Sequence, residues 1–134
     1  MQHYLADTHA IIWYVEDNPR LSRRARTALD RLRDGSAIVH LSIISFFEMD
    51  YLIARKKISE KIPHILWRAV QPTESALRLA EVTAGVYQAF LKIPSHAVPE
   101  LPDRIIVATA LAHHAPLITA DRKITQWDGV ETVW

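Results

Sequence analysis

Four acidic residues, far apart in the sequence, are the side chains best suited to catalysis: Asp7, Glu48, Asp103 and Asp121. Taken singly, the aspartates also have a structural interpretation, because this residue type often caps helices or follows strands. Glu48 differs, since it lies among apolar neighbours and a buried glutamate needs a polar partner. Carboxylates gathered without matching basic side chains repel one another, and a divalent cation relieves that repulsion. Because oxygen ligands without cysteine favour Mg²⁺ or Mn²⁺ over Zn²⁺, the four acids predict such a metal site.

Three hydroxyl side chains accompany these acids: Thr8, Ser45 and Thr119. Ser45 precedes Glu48 by about one helical turn, so both project from one helix face. Thr119 lies two residues before Asp121 and therefore on the same side of a strand. These hydroxyls are candidates for orienting the carboxylates or metal-bound water. The alternative, that they are ordinary strand and cap residues, stays open.

Several other catalytic motifs are missing from the sequence. The seven histidines include no pair with the helical spacing and nearby glutamate of a zinc hydrolase. His9 is the one histidine close to an acid of the set, and His113 and His114 close a helical pattern, where an imidazolium complements the helix dipole. With only three glycines, the chain has neither a glycine-rich phosphate loop nor a nucleophile elbow.

Strand and helix signals alternate along the chain and determine where the acids lie. Short apolar strands are predicted at His3–Ala6, Ala37–Leu41, Leu117–Ala120 and Val130–Trp134. Helices are predicted at His9–Glu16, Ser22–Gly35 with its caps, Ile43–Lys56, Ser59–Trp67, from Pro102 to the histidine pair, and Ile124–Trp127. This alternation predicts a three-layer α/β/α fold with a mainly parallel central sheet of about four or five strands. In such sheets the functional crevice lies beyond the carboxyl ends of the strands, where Asp7 and Asp121 are placed.

The region between residues 69 and 102 gives weaker signals. Ala69–Gln71 is a candidate edge strand, and Thr73 is a candidate cap for a helix that runs through Leu77. Gly85–Lys92 either continues that helix or forms a separate one. Pro94–Pro102 contains three prolines and is expected to be a loop or a partly ordered arm.

The composition is that of a single globular domain spanning residues 1–134, with 49% hydrophobic and 23% charged residues. No apolar run reaches the roughly 18 residues of a membrane span, and the first residues lack the features of a secretory signal. The chain has no cysteine, which excludes disulfides and thiolate metal sites. We therefore expect a cytoplasmic protein without a membrane partner.

Three blocks of sequence together resemble the PIN domain, and more narrowly the toxins of VapBC-type toxin–antitoxin pairs. The blocks are LADTHAIIW, SIISFFEMDYL and LPDRIIVATALAHHAPLITADRKI, and in order they extend over nearly the whole chain. The resemblance implies a Mg²⁺- or Mn²⁺-dependent endoribonuclease, in which metal-activated water hydrolyses RNA. It places the acidic metal-binding positions on Asp7, Glu48, Asp103 and Asp121, and the hydroxyl positions on Thr8, Ser45 and Thr119. It also implies a homodimer and a cognate antitoxin whose C-terminal segment covers the site, with a larger toxin–antitoxin assembly left open.

The chain departs from the family pattern in two places. Many relatives carry an aspartate–proline pair just ahead of the third acid, where Glu100–Pro102 stands here, and the segment Thr83–Pro99 is longer than in compact members. Both departures bear on the shape of the substrate groove and leave the acid set intact.

Basic residues concentrate in two segments, Arg20–Arg33 and Arg55–Lys61, although the net charge is only +1. Solvated helix faces are the plain interpretation of such segments. If the chain acts on RNA, they are also candidates for holding the RNA backbone, and a dimer surface is a competing use.

The alternative function is that of a receiver or HAD-like phosphotransfer or phosphatase domain with Asp7 as the nucleophile. Such domains also gather acids and a threonine at a sheet edge with magnesium. They usually need a second aspartate two residues after the nucleophile, where His9 stands, or a lysine at a late strand end, for which Lys123 is misplaced.

Overall fold

Five parallel strands form the central layer of the molecule, which the computed structural model describes over residues 1–134. The strands are β1 (Gln2–Ala6), β2 (Ala37–Ser42), β3 (Leu77–Ala80), β4 (Leu117–Ile118) and β5 (Thr132–Val133). The helices are α1 (Thr8–Glu16), α2 (Arg23–Asp34), α3 (Ile43–Ala54), α4 (Lys61–Ala69), α5 (Ala84–Phe90), α6 (Leu101–Ala112) and α7 (Arg122–Gln126). The predicted α/β/α fold is confirmed, and every strand pairing is parallel.

The strand order, β3-β2-β1-β4-β5, places a change of direction at the centre of the sheet. The chain first moves outward from β1 through β2 to β3, and then returns to build β4 and β5 on the other side of β1. Leu5 pairs with Leu117 and Ala6 with Ile118, so the carboxyl ends of β1 and β4 are neighbours. In open parallel sheets this kind of switch point opens a crevice at the strand ends.

Two hydrophobic cores cover the two faces of the sheet. Because side chains alternate along a strand, Ala6 belongs to the core formed with α1, α2 and α4, whereas Leu5 belongs to the core formed with α5 and α6. Helix α3 contributes Met49 to the first core and packs Ile44 against the second. The sheet is therefore buried on both faces, as its apolar strands predict.

Local sequence signals explain where several helices begin and end. The Ser22 hydroxyl accepts a hydrogen bond from the Ala25 amide at 3.1 Å, and Gly35 ends the same helix with a φ of 68°. Thr83 caps α5 in the same way, so α5 is a separate helix. The longest helices have twelve residues, and none of the seven is long and apolar enough to cross a membrane.

Two predictions in the middle of the chain were wrong. Ala69–Gln71 is not an edge strand, because Ala69 is the last residue of α4 and Val70 is its C-cap. The helix predicted after Thr73 is instead the edge strand β3, whose Leu77–Ala80 pairs with Val39–Ser42 of β2. Such a short apolar run fits the periodicity of a helix and that of a strand equally well. The free edge of β2 determines the outcome, because it supplies hydrogen-bond partners for a strand. Pro94–Pro102, in contrast, is a loop up to the start of α6 at Leu101.

Candidate metal centre

A cavity of about 430 Å³ lies at the carboxyl edge of the sheet, where β1 and β4 end. The structure brings all four predicted acids to it, since its lining includes Asp7, Glu48, Asp103 and Asp121. They come from four different elements: the turn after β1, helix α3, the first turn of α6 and the cap of α7. Because the strand order changes direction at β1, residues that are distant in sequence lie at the same edge of the sheet and line one cavity.

Asp7 is the most deeply placed of the acids and is only 9% exposed. Its Oδ1 accepts a hydrogen bond from the backbone amide of Thr8 at 2.8 Å, and its Oδ2 accepts one from the Thr119 hydroxyl at 2.6 Å. Burial raises the pKa of Asp7, while the two hydrogen bonds oppose that rise. The two bonds also fix the orientation of the carboxylate.

Glu48 is held by a chain of hydroxyls. Thr8 donates its hydroxyl hydrogen to Glu48 Oε1 at 2.7 Å, and the Ser45 hydroxyl lies 2.8 Å from the same Thr8 oxygen. Because the single hydroxyl hydrogen of Thr8 points to Glu48, Ser45 is the donor in the second bond. Burial is the main reason why the pKa of Glu48 is raised. Thr8 and Ser45 are both buried, so this order of donors is protected from water.

Asp121 lies at the start of α7 and caps that helix. Its Oδ1 accepts hydrogen bonds from the amides of Lys123 at 2.9 Å and Ile124 at 3.4 Å, and its own amide donates to the Thr119 hydroxyl at 3.1 Å. Thr119 therefore joins the backbone of Asp121 to the carboxylate of Asp7. The second carboxylate oxygen of Asp121 makes no hydrogen bond within the chain.

Asp103 has a pKa well above the ordinary value for an aspartate. It stands in the first turn of α6 next to Pro102, as predicted from the sequence. Burial raises its pKa to about 7, and the negative charges of Asp7, Asp121, Glu48 and Glu100 add to the effect. The carboxylates are thus close enough to repel one another appreciably.

No lysine or arginine forms an ion pair with these four carboxylates. The ion pairs of the protein join Arg26 to Asp17 and Arg33 to Asp30, away from the cavity. No three of the acids are arranged as a closed ligand cage. Mg²⁺ does not require one, because it usually takes one or two protein carboxylates and keeps several of its waters. Hard oxygen donors whose charge is not paired with a lysine or an arginine therefore fit a hydrated divalent cation.

Three lining residues were not assigned to the acid site from the sequence: Glu100, Trp13 and Ala120. Glu100 precedes Asp103 by three residues at the start of a helix, and this spacing could have identified it. Trp13 follows His9 by four residues in α1, so the two share one helix face. His9 itself lines the cavity, as its position beside the acids suggested.

The histidines at the end of α6 correct one interpretation. His113 is the C-cap of that helix, and its ring centroid lies 4.5 Å from that of His40 in β2. Burial and the neighbouring His3 lower the pKa of His113. The neutral imidazole is therefore favoured at this position, in place of the imidazolium expected to complement the helix dipole.

The sequence profile of the PIN domain family matches residues 4–130. This chain belongs to the PIN domain family. Ribonuclease VapC22 of Mycobacterium tuberculosis is 29% identical to this PIN domain over 124 residues, which is 92% of this chain and 91% of that protein.

Two solved structures share the fold of this PIN domain. One is VapBC2 from Rickettsia felis bound to a DNA fragment from their promoter, with a TM-score of 0.71 and 16% identity over 98% of this chain and 97% of that one. The other is a toxin–antitoxin complex from Klebsiella pneumoniae, with a TM-score of 0.65 and 23% identity over 96% of each chain. The resemblance stated from the three sequence blocks is therefore confirmed at the level of the PIN family.

A phosphotransfer or phosphatase role for this PIN domain is not favoured. Residue 9, two positions after Asp7, is a histidine that lines the cavity, whereas such domains usually carry a second aspartate there. Lys123 is exposed and presents its backbone amide to Asp121, so its side chain does not serve the cavity.

Proposed function

We propose that this PIN domain, as one unit of residues 1–134, is a Mg²⁺- or Mn²⁺-dependent endoribonuclease and the toxin of a toxin–antitoxin pair. The observation that carries the proposal is the grouping of four carboxylates around one cavity without a lysine or arginine paired to any of them. The similarity to Ribonuclease VapC22 supports RNA as the substrate.

In this proposal the metal-binding residues are Asp7, Glu48, Asp103 and Asp121. A bound divalent cation would lower the pKa of a water molecule and offset charge on the scissile phosphate and the leaving oxygen. Asp121 has one free oxygen, which suits it to a second ion or to the water shell of the first. The hydrogen bonds to the acids would then contribute to metal binding, because they fix the orientation of the carboxylates.

The supporting hydroxyls have distinct roles in this scheme. Thr119 holds Oδ2 of Asp7 and the amide of Asp121 at once, so it sets the spacing of two proposed ligands. Ser45 and Thr8 form a relay of donors that ends on Glu48 and keeps one of its oxygens in a fixed position. Hydrogen bonds of this kind orient ligands and tune their basicity.

Proton release accompanies metal binding in the proposal. Without a cation, Asp103 has a pKa of about 7 and is protonated in a sizeable fraction of molecules at neutral pH. A cation in the cavity favours the ionised carboxylate, since opposite charge lowers the pKa of an acid. Metal affinity should therefore rise with pH through neutrality.

We further propose that a cognate antitoxin binds this toxin and that the toxin is a homodimer within a larger assembly. The named structures from Rickettsia felis and Klebsiella pneumoniae are toxin–antitoxin complexes, which supports the first part. The second is supported by large apolar side chains that are 55–67% exposed on α3, on the α5 segment and at the start of α6: Phe47, Tyr51, Tyr87, Leu91 and Leu101. Helices α3 and α5 both contact α6, and large apolar side chains exposed on neighbouring helices are typical of protein interfaces.

The experiment that tests the proposed activity maps cut sites on total RNA with the wild type and with Asp7→Asn, with and without Mg²⁺. Cleavage is expected only for the wild type with the metal, and it should leave a 5′-phosphate and a 3′-hydroxyl because water attacks. Asp50→Asn is the matched control, since Asp50 is an exposed acid of α3 that does not line the cavity. A folded Asp7→Asn protein that cuts at the wild-type rate, or full cleavage in a chelator, would refute the proposal.

A further inference from the structure

The indole of Trp13 stands between the acid cavity and a second cavity of about 540 Å³. Trp13 and His9 line both cavities, and they project from the same face of α1 one turn apart. The two cavities thus share an aromatic wall, and a ligand that leaves the acid cavity on this side passes over that wall.

The second cavity has the opposite electrostatic character. Its lining includes Arg20 and Lys57, one from each of the two basic segments, and both are exposed. Glu16 is the one acid in its lining, and it accepts a hydrogen bond from the Asn18 side chain at 3.4 Å. A polyanion that places one phosphate at the acid cavity would therefore meet two cations immediately beyond it.

The aromatic wall is held in place by its neighbours. The ring centroid of Trp13 lies 5.8 Å from that of His9 and 5.8 Å from that of Trp134, both in tilted arrangements. The guanidinium of Arg20 lies 5.8 Å from the Trp13 ring centroid. Trp13 is half-buried, so its position is fixed while part of the ring stays accessible. A ring fixed in this way loses little conformational entropy when a flat partner stacks on it.

We propose that Trp13 and Arg20 form a stacking site for a nucleobase of single-stranded RNA that neighbours the phosphate at the acid cavity, with Lys57 contacting the backbone. The inference rests on the proposed ribonuclease function and adds how the strand is positioned. Unstacked bases of single-stranded RNA commonly stack on aromatic rings and on arginine planes. Such stacking tolerates every base, because every base has a π-face. The basic lining favours a nucleic acid over a neutral peptide as the occupant.

The test measures the preference of the protein for RNA that carries bases. In an Asp7→Asn background, which prevents cleavage, two probes are compared: a randomised single-stranded RNA oligonucleotide and an abasic ribose-phosphate oligomer of equal length. Trp13→Leu keeps an apolar side chain but removes the π-face, and it should reduce the preference for bases by roughly tenfold to a hundredfold. Trp13→Phe should retain most of the preference.

Trp67→Leu is the matched control, because Trp67 is 45% exposed on α4, packs edge-on against Phe46 and lines neither cavity. It should leave the preference unchanged. If circular dichroism shows that Trp13→Leu does not fold, Arg20→Gln replaces it, since Arg20 is exposed and makes no ion pair. That variant should weaken RNA binding and lower the log–log salt slope by about 0.7.

The proposal is overturned if a folded Trp13→Leu protein keeps the full preference for bases. It is equally overturned if this variant binds RNA normally but binds the antitoxin more weakly, because the wall would then be a protein contact. The proposed ribonuclease function is judged separately. If metal-dependent cleavage is equal in Trp13→Leu and Trp13→Phe, the stacking site is refuted but the ribonuclease function is supported.

Discussion

Helix α6 has one cluster of titratable side chains at each end. At its start, Asp103 joins the other acids of the cavity. At its end, His113 faces His40 with 4.5 Å between ring centroids, and His40 Nε2 lies 2.9 Å from Nδ1 of His3. Asp103 and His113 are about 15 Å apart along the helix axis, from the rise of an α-helix. Each cluster contains one type of titratable side chain. The two clusters differ in whether their side chains can hydrogen-bond to one another.

Neutral imidazoles can hydrogen-bond to each other, because each has one donor and one acceptor nitrogen. Burial and the neighbouring His113, His3 and Arg78 lower the pKa of His40 to about 4, which keeps the ring neutral near pH 7. Ionised carboxylates have acceptors alone, so the acids can be satisfied only by hydroxyls, amides, protons or a cation. The histidine cluster therefore needs no ligand, whereas the acid cluster is arranged for one.

The largest expected difference between the two clusters is in RNA cleavage. Asp103→Asn should lower the rate about a hundredfold or more, because a metal-bound transition state loses several kcal/mol of stabilisation. His113→Asn should cleave at nearly the wild-type rate. Single-turnover cleavage of the same RNA by both variants checks this. Equal losses in the two would show that the histidine end of α6 also takes part in the reaction.

The second largest expected effect is the loss of a hydroxyl that hydrogen-bonds to an acid of the cavity, compared with the loss of one that does not. Thr119→Val removes the hydrogen bond to Asp7 while keeping the shape, and it should cost roughly 10- to 100-fold in cleavage or metal affinity. Thr109→Val is the matched control, since Thr109 is equally buried but donates to the Ile105 carbonyl within α6. If both valine variants behave alike, Thr119 supports only the fold.

The histidine cluster should make the protein sensitive to acid. The pKa of His40 is about 4 in the folded protein and ordinarily 6.5, so the unfolded chain binds the proton more tightly between these values. The contribution of His40 to folding stability should therefore fall as the pH drops from about 6.5 to about 4, by an amount on the order of 1–3 kcal/mol. Urea unfolding of the wild type and His40→Gln across this range measures it, and the variant should show a flatter acid limb. An identical limb in both proteins would assign the acid sensitivity to other groups.

The acid cluster should have the opposite dependence on pH. The pKa of Asp103 is about 7 in the folded protein and ordinarily 3.8, so the folded state binds the proton more tightly. The contribution of Asp103 to the stability of the metal-free protein should therefore decrease as the pH rises from about 4 to about 7, which opposes the contribution of His40 over the same range. In a chelator, the stability of the wild type should rise less steeply with pH than that of Asp103→Asn, and Mg²⁺ should restore stability. A wild type whose stability rises through this range as steeply as that of the variant would contradict the assignment.

The four acids could be selected from the sequence because the three aspartates stand at a strand end or a helix start and Glu48 lies among apolar neighbours. The hydrogen-bond partners of these acids could not be predicted from the sequence. Thr119 was placed on the side of Asp121, but its hydroxyl donates to Asp7, which is 112 residues away, and this pairing depends on the register of β1 with β4. The strand β3 was missed because its four residues suit a helix equally well until the edge of β2 is known.

The basic segments show the same limit. Arg20–Arg33 reads as one patch, yet Arg20 lines the cavity beside the acids, whereas Arg23, Arg24 and Arg31 line another at the opposite end of the strands, near Pro116. The break between α1 and α2 divides the patch, and that turn cannot be oriented without the packing of both helices on the sheet. Charge density along the chain therefore overstates the surface available to one ligand.

The most direct measurement of the central claim is the position of bound Mn²⁺ in crystals of the wild type and of Asp7→Asn, read from its anomalous scattering. The account predicts a Mn²⁺ peak in the acid cavity, coordinated by Asp7 and Asp103, that disappears in Asp7→Asn. A protein that cleaves RNA with Mn²⁺ but binds the ion elsewhere, or binds it unchanged in Asp7→Asn, would contradict the assignment of this cavity as the metal centre.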